Sequence, residues 1–126
     1  MSRNRDRGAA AVEFALVLPL LLALTVGIIA FGHAFHIQTV LDNSAREAVR
    51  LFALEDDGDP AAEARQRAID TAAPSITLTG DQIDVAPAGC PSGQNAVVTI
   101  TLTDFQLLGG FWSATLTGSG SMRCNG

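Results

Sequence analysis

Residues 14–35 read Phe-Ala-Leu-Val-Leu-Pro-Leu-Leu-Leu-Ala-Leu-Thr-Val-Gly-Ile-Ile-Ala-Phe-Gly-His-Ala-Phe, and this stretch decides the architecture. Thirteen of these positions are Leu, Ile, Val or Phe. A helix of about 20 apolar residues crosses the roughly 30 Å hydrocarbon layer of a bilayer. The aliphatic and aromatic residues supply roughly −4 to −8 kcal/mol of insertion free energy, and Glu13 at the segment's edge opposes it by about 3 kcal/mol at most. Insertion wins. A buried core helix is the competing reading, but no second element carries enough apolar surface to cover this one.

The flanks set an orientation. Arg3, Arg5 and Arg7 precede the segment, no further Arg or Lys occurs before Arg46, and the chain has no Lys. The positive-inside bias therefore predicts a cytoplasmic N-terminus and an extracytoplasmic C-terminal body in a single-pass protein of the cytoplasmic membrane. From His33 onward there are eleven Asp or Glu against five Arg. An acidic body without a basic patch argues against nucleic-acid binding, which needs clustered cations to displace counterions. A cleaved secretory signal is an alternative, with Ala30 and Gly32 as the small residues before a cut at His33. The length of the apolar run and the position of Glu13 oppose it.

With 126 residues there is room for one small domain. Beyond the span the pattern becomes amphipathic: Ile37, Val40, Leu41, Ala48, Leu51 and Phe52 follow the helical template, with Asp42, Asn43, Arg46 and Arg50 on other faces. One helix from Ala9 to Leu54 would run roughly 69 Å. The acidic run from Glu55 to Asp59 ends it. Asp59 as N-cap and Pro60 at the first helical position start a second, Ala-rich helix that stops before Pro74. The rest alternates as strands do, at residues 76–79, 82–86, 96–103 and 114–122. Val97-Val98-Thr99-Ile100-Thr101-Leu102-Thr103 is the clearest of these. The expected fold class is α+β: a long transmembrane-plus-amphipathic helix, a short second helix, and a small antiparallel sheet laid on the helix stripe.

The junction ahead of the apolar run reads Arg5-Asp6-Arg7-Gly8-Ala9-Ala10-Ala11-Val12-Glu13-Phe14. It resembles the processing site of type IV pilin-like proteins, in which a short basic leader ends in Gly and Glu is the fifth mature residue. Together with Pro19 and Ser44-Ala45-Arg46-Glu47-Ala48-Val49-Arg50, the pattern resembles the TadE-like family, the minor pseudopilins of tight-adherence (Flp) pilus systems. The resemblance covers residues 5 to about 54. Phe14 departs from the Tyr usual in major Flp pilins, which favours the minor branch.

The resemblance implies a pilin-like α+β fold and a cut by prepilin peptidase between Gly8 and Ala9. It also implies that Glu13 pairs with the new N-terminus of an adjacent subunit, and that the chain serves pilus assembly and adhesion. The implied partners are the lipid bilayer, prepilin peptidase, other pilin or pseudopilin subunits and pilus assembly proteins. Three segments follow: a cytoplasmic leader (1–8), a transmembrane helix (9–35) and an extracytoplasmic domain (36–126). Physically, Gly8 lets the scissile backbone approach a membrane protease and bend out of helix. A carboxylate at a membrane face is costly unless paired, and a freed ammonium is a suitable partner. The bland alternative is that Glu13 snorkels to the interface and does nothing specific.

Other sharp readings are weaker. Ala23 and Gly27 form a small-xxx-small pair suited to helix packing against another subunit. Cys90 and Cys124 are the only cysteines; in an oxidising compartment a disulfide is expected, two separate thiols being the alternative. His33 and His36 lie three apart but lack a third metal ligand. The acidic run lacks the ligand spacing of a calcium loop. No phosphate loop, nucleophile elbow or acid–base constellation points to an enzyme or a cofactor. The apolar turn at residues 107–112 has three readings, as core cap, partner contact or membrane contact. The remaining rival for function is a small extracytoplasmic binding protein, either anchored by an uncut helix or released after Gly32.

Overall fold

The computed structural model describes residues 2–124. Two compact units divide the chain, one ending at His33 and one beginning at Ala34. Helix α1 (Ser2–Leu54) contributes to both. It begins earlier than expected: the Arg-rich residues ahead of the apolar run are helical as well, because nothing in residues 2–8 breaks a helix except Gly8, whose cost of about 1 kcal/mol relative to Ala is easily carried. Gly8 lies within this helix. Pro19 sits inside α1, where it removes one backbone donor.

In the first unit the apolar side chains face outward. Leu16, Leu20, Leu24, Ile28 and Phe31 are each more than half exposed, and no residue of the most apolar window is buried. This excludes the buried-core reading. Among the described residues, α1 is the one helix long and apolar enough to cross a membrane.

The second unit is the α+β body. Helix α2 (Pro60–Ala72) starts as expected, with the Asp59 carboxylate accepting from the Ala62 N–H and Pro60 in the first turn. A three-stranded antiparallel sheet follows in the order β1 (Ile83–Ala86), β2 (Asn95–Leu107), β3 (Trp112–Arg123). Residues 76–79 form no strand. Ile76 and Leu78 do turn toward the core, but the Ile76 N–H bonds back to the Ala72 carbonyl. Thr79 then donates to Gln82 Oε1 at the head of a single 3-10 turn, Gly80–Gln82, so the segment is used up in leaving one helix and entering another.

The core lies between the later part of α1 and one face of the sheet. Ile37, Leu41, Ala45, Ala48, Val49 and Phe52 form the helix stripe, and Ala96, Val98, Ile100 and Leu102 alternate inward from β2. Val40 and Leu51, expected in that stripe, sit at its rim. From α2 only Ala64, Ala68 and Ala72 are buried, a flat ridge at helical spacing. β3 contributes Gly118 and Gly120 inward.

Candidate functional site

Gly8, Ala9 and Glu13 all lie on α1 and are exposed. Ala9 and Glu13 are one helical turn apart, hence on one face. A β-carbon at Gly8 would meet nothing within 4 Å, and the same holds at Gly27. The junction is thus open to approach from outside the chain, as is the small face at Ala23 and Gly27. Thr25 turns its hydroxyl inward to the Leu21 carbonyl, which hides its polar group along the apolar run.

The body is held against α1 by features that the sequence patterns did not single out. A β-carbon on Gly118 would stand 2.6 Å from the Leu41 carbonyl carbon, and one on Gly120 would stand 2.9 Å from that of Ala45. Only glycines permit this approach. Beside them, Gln38 Nε2 donates to the Thr117 carbonyl at 2.6 Å, and the Ser119 N–H donates to Asp42 Oδ1 at 3.4 Å. These two bonds occupy the outer edge of β3. On the opposite edge, Arg65 Nε donates to the Ile83 carbonyl. Both free edges of the sheet are therefore partly satisfied by helix side chains, which blunts them against pairing with other chains. The legible signal was Gly-x-Gly inside a strand, a mark of close backbone approach.

Cys90 and Cys124 form a disulfide with Cα atoms 5.5 Å apart. It ties the end of β3 to the loop before β2, where the Cys124 N–H also donates to the Gln94 carbonyl. In the chain-entropy model a loop of this size contributes about 3 to 4 kcal/mol. The acidic loop after α1 gathers Glu55, Asp56, Asp57 and Glu63 around an open groove. A hydrogen bond between the Glu55 and Glu63 carboxyls raises the pKa of Glu55, with some desolvation and repulsion from Glu63 and Asp57 adding to the effect. Among the described residues no group of three or more His, Cys, Asp or Glu is placed to hold a metal ion.

The turn at residues 107–112 does not cap the core. Phe111 is 91% exposed and Trp112 68%. Leu108, Gly109 and Gly110 take positive φ and close a tight hairpin whose ladder runs out to Leu107 and Trp112.

One helix long and apolar enough to span a bilayer, with its apolar side chains uncovered, and an α+β body that includes that helix's later turns define a single-helix, α+β architecture. Residues 8–50 match the family described as TadE-like protein. The match starts at Gly8, passes through Glu13 and Pro19, and ends at Arg50, so it bears out the resemblance read from the junction and the Ala-Arg segment. It takes in about a third of the chain, and β1 to β3 lie outside it. No curated protein and no solved structure matches the chain.

Proposed function

We propose that the protein is a minor pseudopilin of a tight-adherence pilus system, a non-enzymatic single-pass subunit cut by prepilin peptidase between Gly8 and Ala9. The observation that carries this reading is the family match beginning at Gly8, with Glu13 fifth from Ala9 at the head of an uncovered apolar helix. Residues 1–8 would be the leader, 9–35 the membrane span and 36–126 the extracytoplasmic body.

The chemistry of the junction supports it. Glycine is the residue at which a helix unwinds most cheaply, and Gly8 has no neighbouring side chain in its way. Cleavage makes Ala9 the new helix start and frees an amine with a reference pKa near 8. Glu13 then lies in the second turn, close to the positive end of the helix dipole. The carboxylate is poised for the ammonium of an adjacent subunit, and the small face at Ala23 and Gly27 allows close helix approach. In that arrangement pilin subunits, assembly proteins and the bilayer are its partners.

Co-expression with a prepilin peptidase, followed by intact-mass and N-terminal analysis, tests the reading. A mature chain starting at Ala9 is expected, together with loss of processing in Gly8→Val. A start at His33 would mean release by signal peptidase and would support an extracytoplasmic binding protein instead. An uncut chain with Glu13 present, or normal processing and pilus formation in Gly8→Val, would defeat the proposal.

A further inference from the structure

The β2–β3 hairpin has a direction relative to the part of α1 inside the body. Gly120 lies on Ala45, Gly118 lies on Leu41, and Thr117 is bonded by Gln38. Two residues of strand, roughly 6.6 Å, thus match four residues of helix, roughly 6 Å. Strand and helix run side by side in the same sense. Trp112 is six residues before Gly118, roughly 20 Å of strand, whereas Ala34 is seven residues before Leu41, roughly 10 Å of helix. The hairpin tip therefore lies toward the Ala34 end of the body.

That end of the body joins the apolar segment. The tip brought there is composed for lipid: Leu107, Leu108, Phe111 and Trp112 around two glycines, with no charged residue between Asp104 and Arg123. Its largest side chains, the aromatic rings of Phe111 and Trp112, both stand well exposed. Trp combines an apolar ring with an N–H donor, the combination that settles at a membrane–water interface.

We propose that the hairpin tip is a second membrane contact, with Phe111 and Trp112 seated in the interfacial layer of the bilayer that holds the apolar segment of α1. The inference rests on the membrane-anchored reading above. Two contacts, one the helix and one the hairpin, would fix the body's tilt and rotation on the membrane surface, as one helix alone does not. The tip carries no cation, so seating depends on apolar burial and not on anionic headgroups.

Trp112 is the only tryptophan in the chain, so its fluorescence reports the tip directly. The full chain is reconstituted into phosphatidylcholine vesicles with and without bromine on the acyl chains. The expected result is strong loss of Trp112 emission in the brominated vesicles, unchanged by salt. Its quenching by acrylamide should be weaker than for the guanidinium-unfolded chain. Phe111→Ser, at a site that touches no core, should keep the circular dichroism spectrum and lose much of the bromolipid quenching. Unquenched emission in vesicles from which carbonate does not extract the chain overturns the hairpin contact while leaving the helix anchor standing. Extraction by carbonate overturns both. Shielding from acrylamide that rises with protein density, without bromolipid quenching, assigns the tip to a second copy of the chain and likewise overturns the proposal.

Discussion

A methyl group at Gly118 would have to push against backbone of α1 at Leu41, not against a flexible side chain. Backbone cannot move aside without disturbing the neighbouring bonds from Gln38 and Asp42 to β3. Gly118→Ala should therefore destabilise the body by about 1 to 3 kcal/mol, the range for overpacking. Thermal unfolding of the detergent-solubilised chain, followed by loss of the strand signal in circular dichroism, measures it. Gly89→Ala, at an open position, is the control and should leave the midpoint unchanged. A second residue-scale effect is electrostatic. Because Glu55 shares a hydrogen bond with Glu63 and lies near other carboxylates, its folded-state pKa is raised above that of the unfolded chain. The folded state thus binds this proton more tightly, so the group favours folding below the ordinary carboxylate range, and that contribution disappears as pH rises through the raised pKa. Carboxyl-carbon NMR should show Glu55 titrating late, and Glu63→Gln should bring its midpoint down toward the ordinary value. An unchanged midpoint in that variant would remove Glu63 as the cause.

At the scale of elements, α2 is fastened by three alanines. Ala64, Ala68 and Ala72 are fully buried, and their short side chains let the helix lie close over the core beside β1. Ala68→Leu adds volume where there is none to receive it and should cost about 1 to 3 kcal/mol, read as a lower unfolding midpoint. Glu63→Ala on the same helix leaves that ridge intact and should not reproduce the loss. The elements also differ in how far sequence patterns reveal them. α1 is legible because lipid and core both demand long apolar periodicity, and the start of α2 because Asp59 and Pro60 act locally through capping and fixed φ. β2 is legible through its β-branched alternation. Residues 76–79 mislead because two alternating apolar residues, Ile76 and Leu78, also suit an extended linker that reaches the core without a ladder partner. β3 runs two residues past its expected start and ends at Arg123, since pairing with β2 holds Trp112 and Ser113 despite their exposure. The close contact at Gly118 and Gly120 depends on which helix residues lie opposite, a long-range fact that no local window contains. At the junction, the Gly8 to Glu13 spacing was readable because it is a local, linear pattern that lies inside the matched segment.

At the scale of the whole molecule, charge and cysteine chemistry depend on one topology. Three of the eight Arg precede the apolar helix, and both cysteines lie beyond it. In the proposed topology Arg3, Arg5 and Arg7 hold the N-terminus in the cytoplasm, and Cys90 and Cys124 would reach an oxidising compartment, where the 5.5 Å Cα separation allows them to pair. Inverted chains would leave the same thiols in a reducing cytosol. The disulfide is therefore a built-in reporter of orientation. Cells quenched in acid and treated with a mass-adding maleimide should show the parent chain unmodified unless reductant is added first. Replacing Arg3, Arg5 and Arg7 with Ser weakens the positive-inside bias, and a fraction of chains should then acquire two mass tags without reductant. Because the inverted body also lacks the roughly 3 to 4 kcal/mol of the cross-link, that doubly tagged fraction should be the one cleared faster by proteolysis after synthesis is stopped. Free thiols in the parent chain would place the body on the cytoplasmic side and reverse the topology.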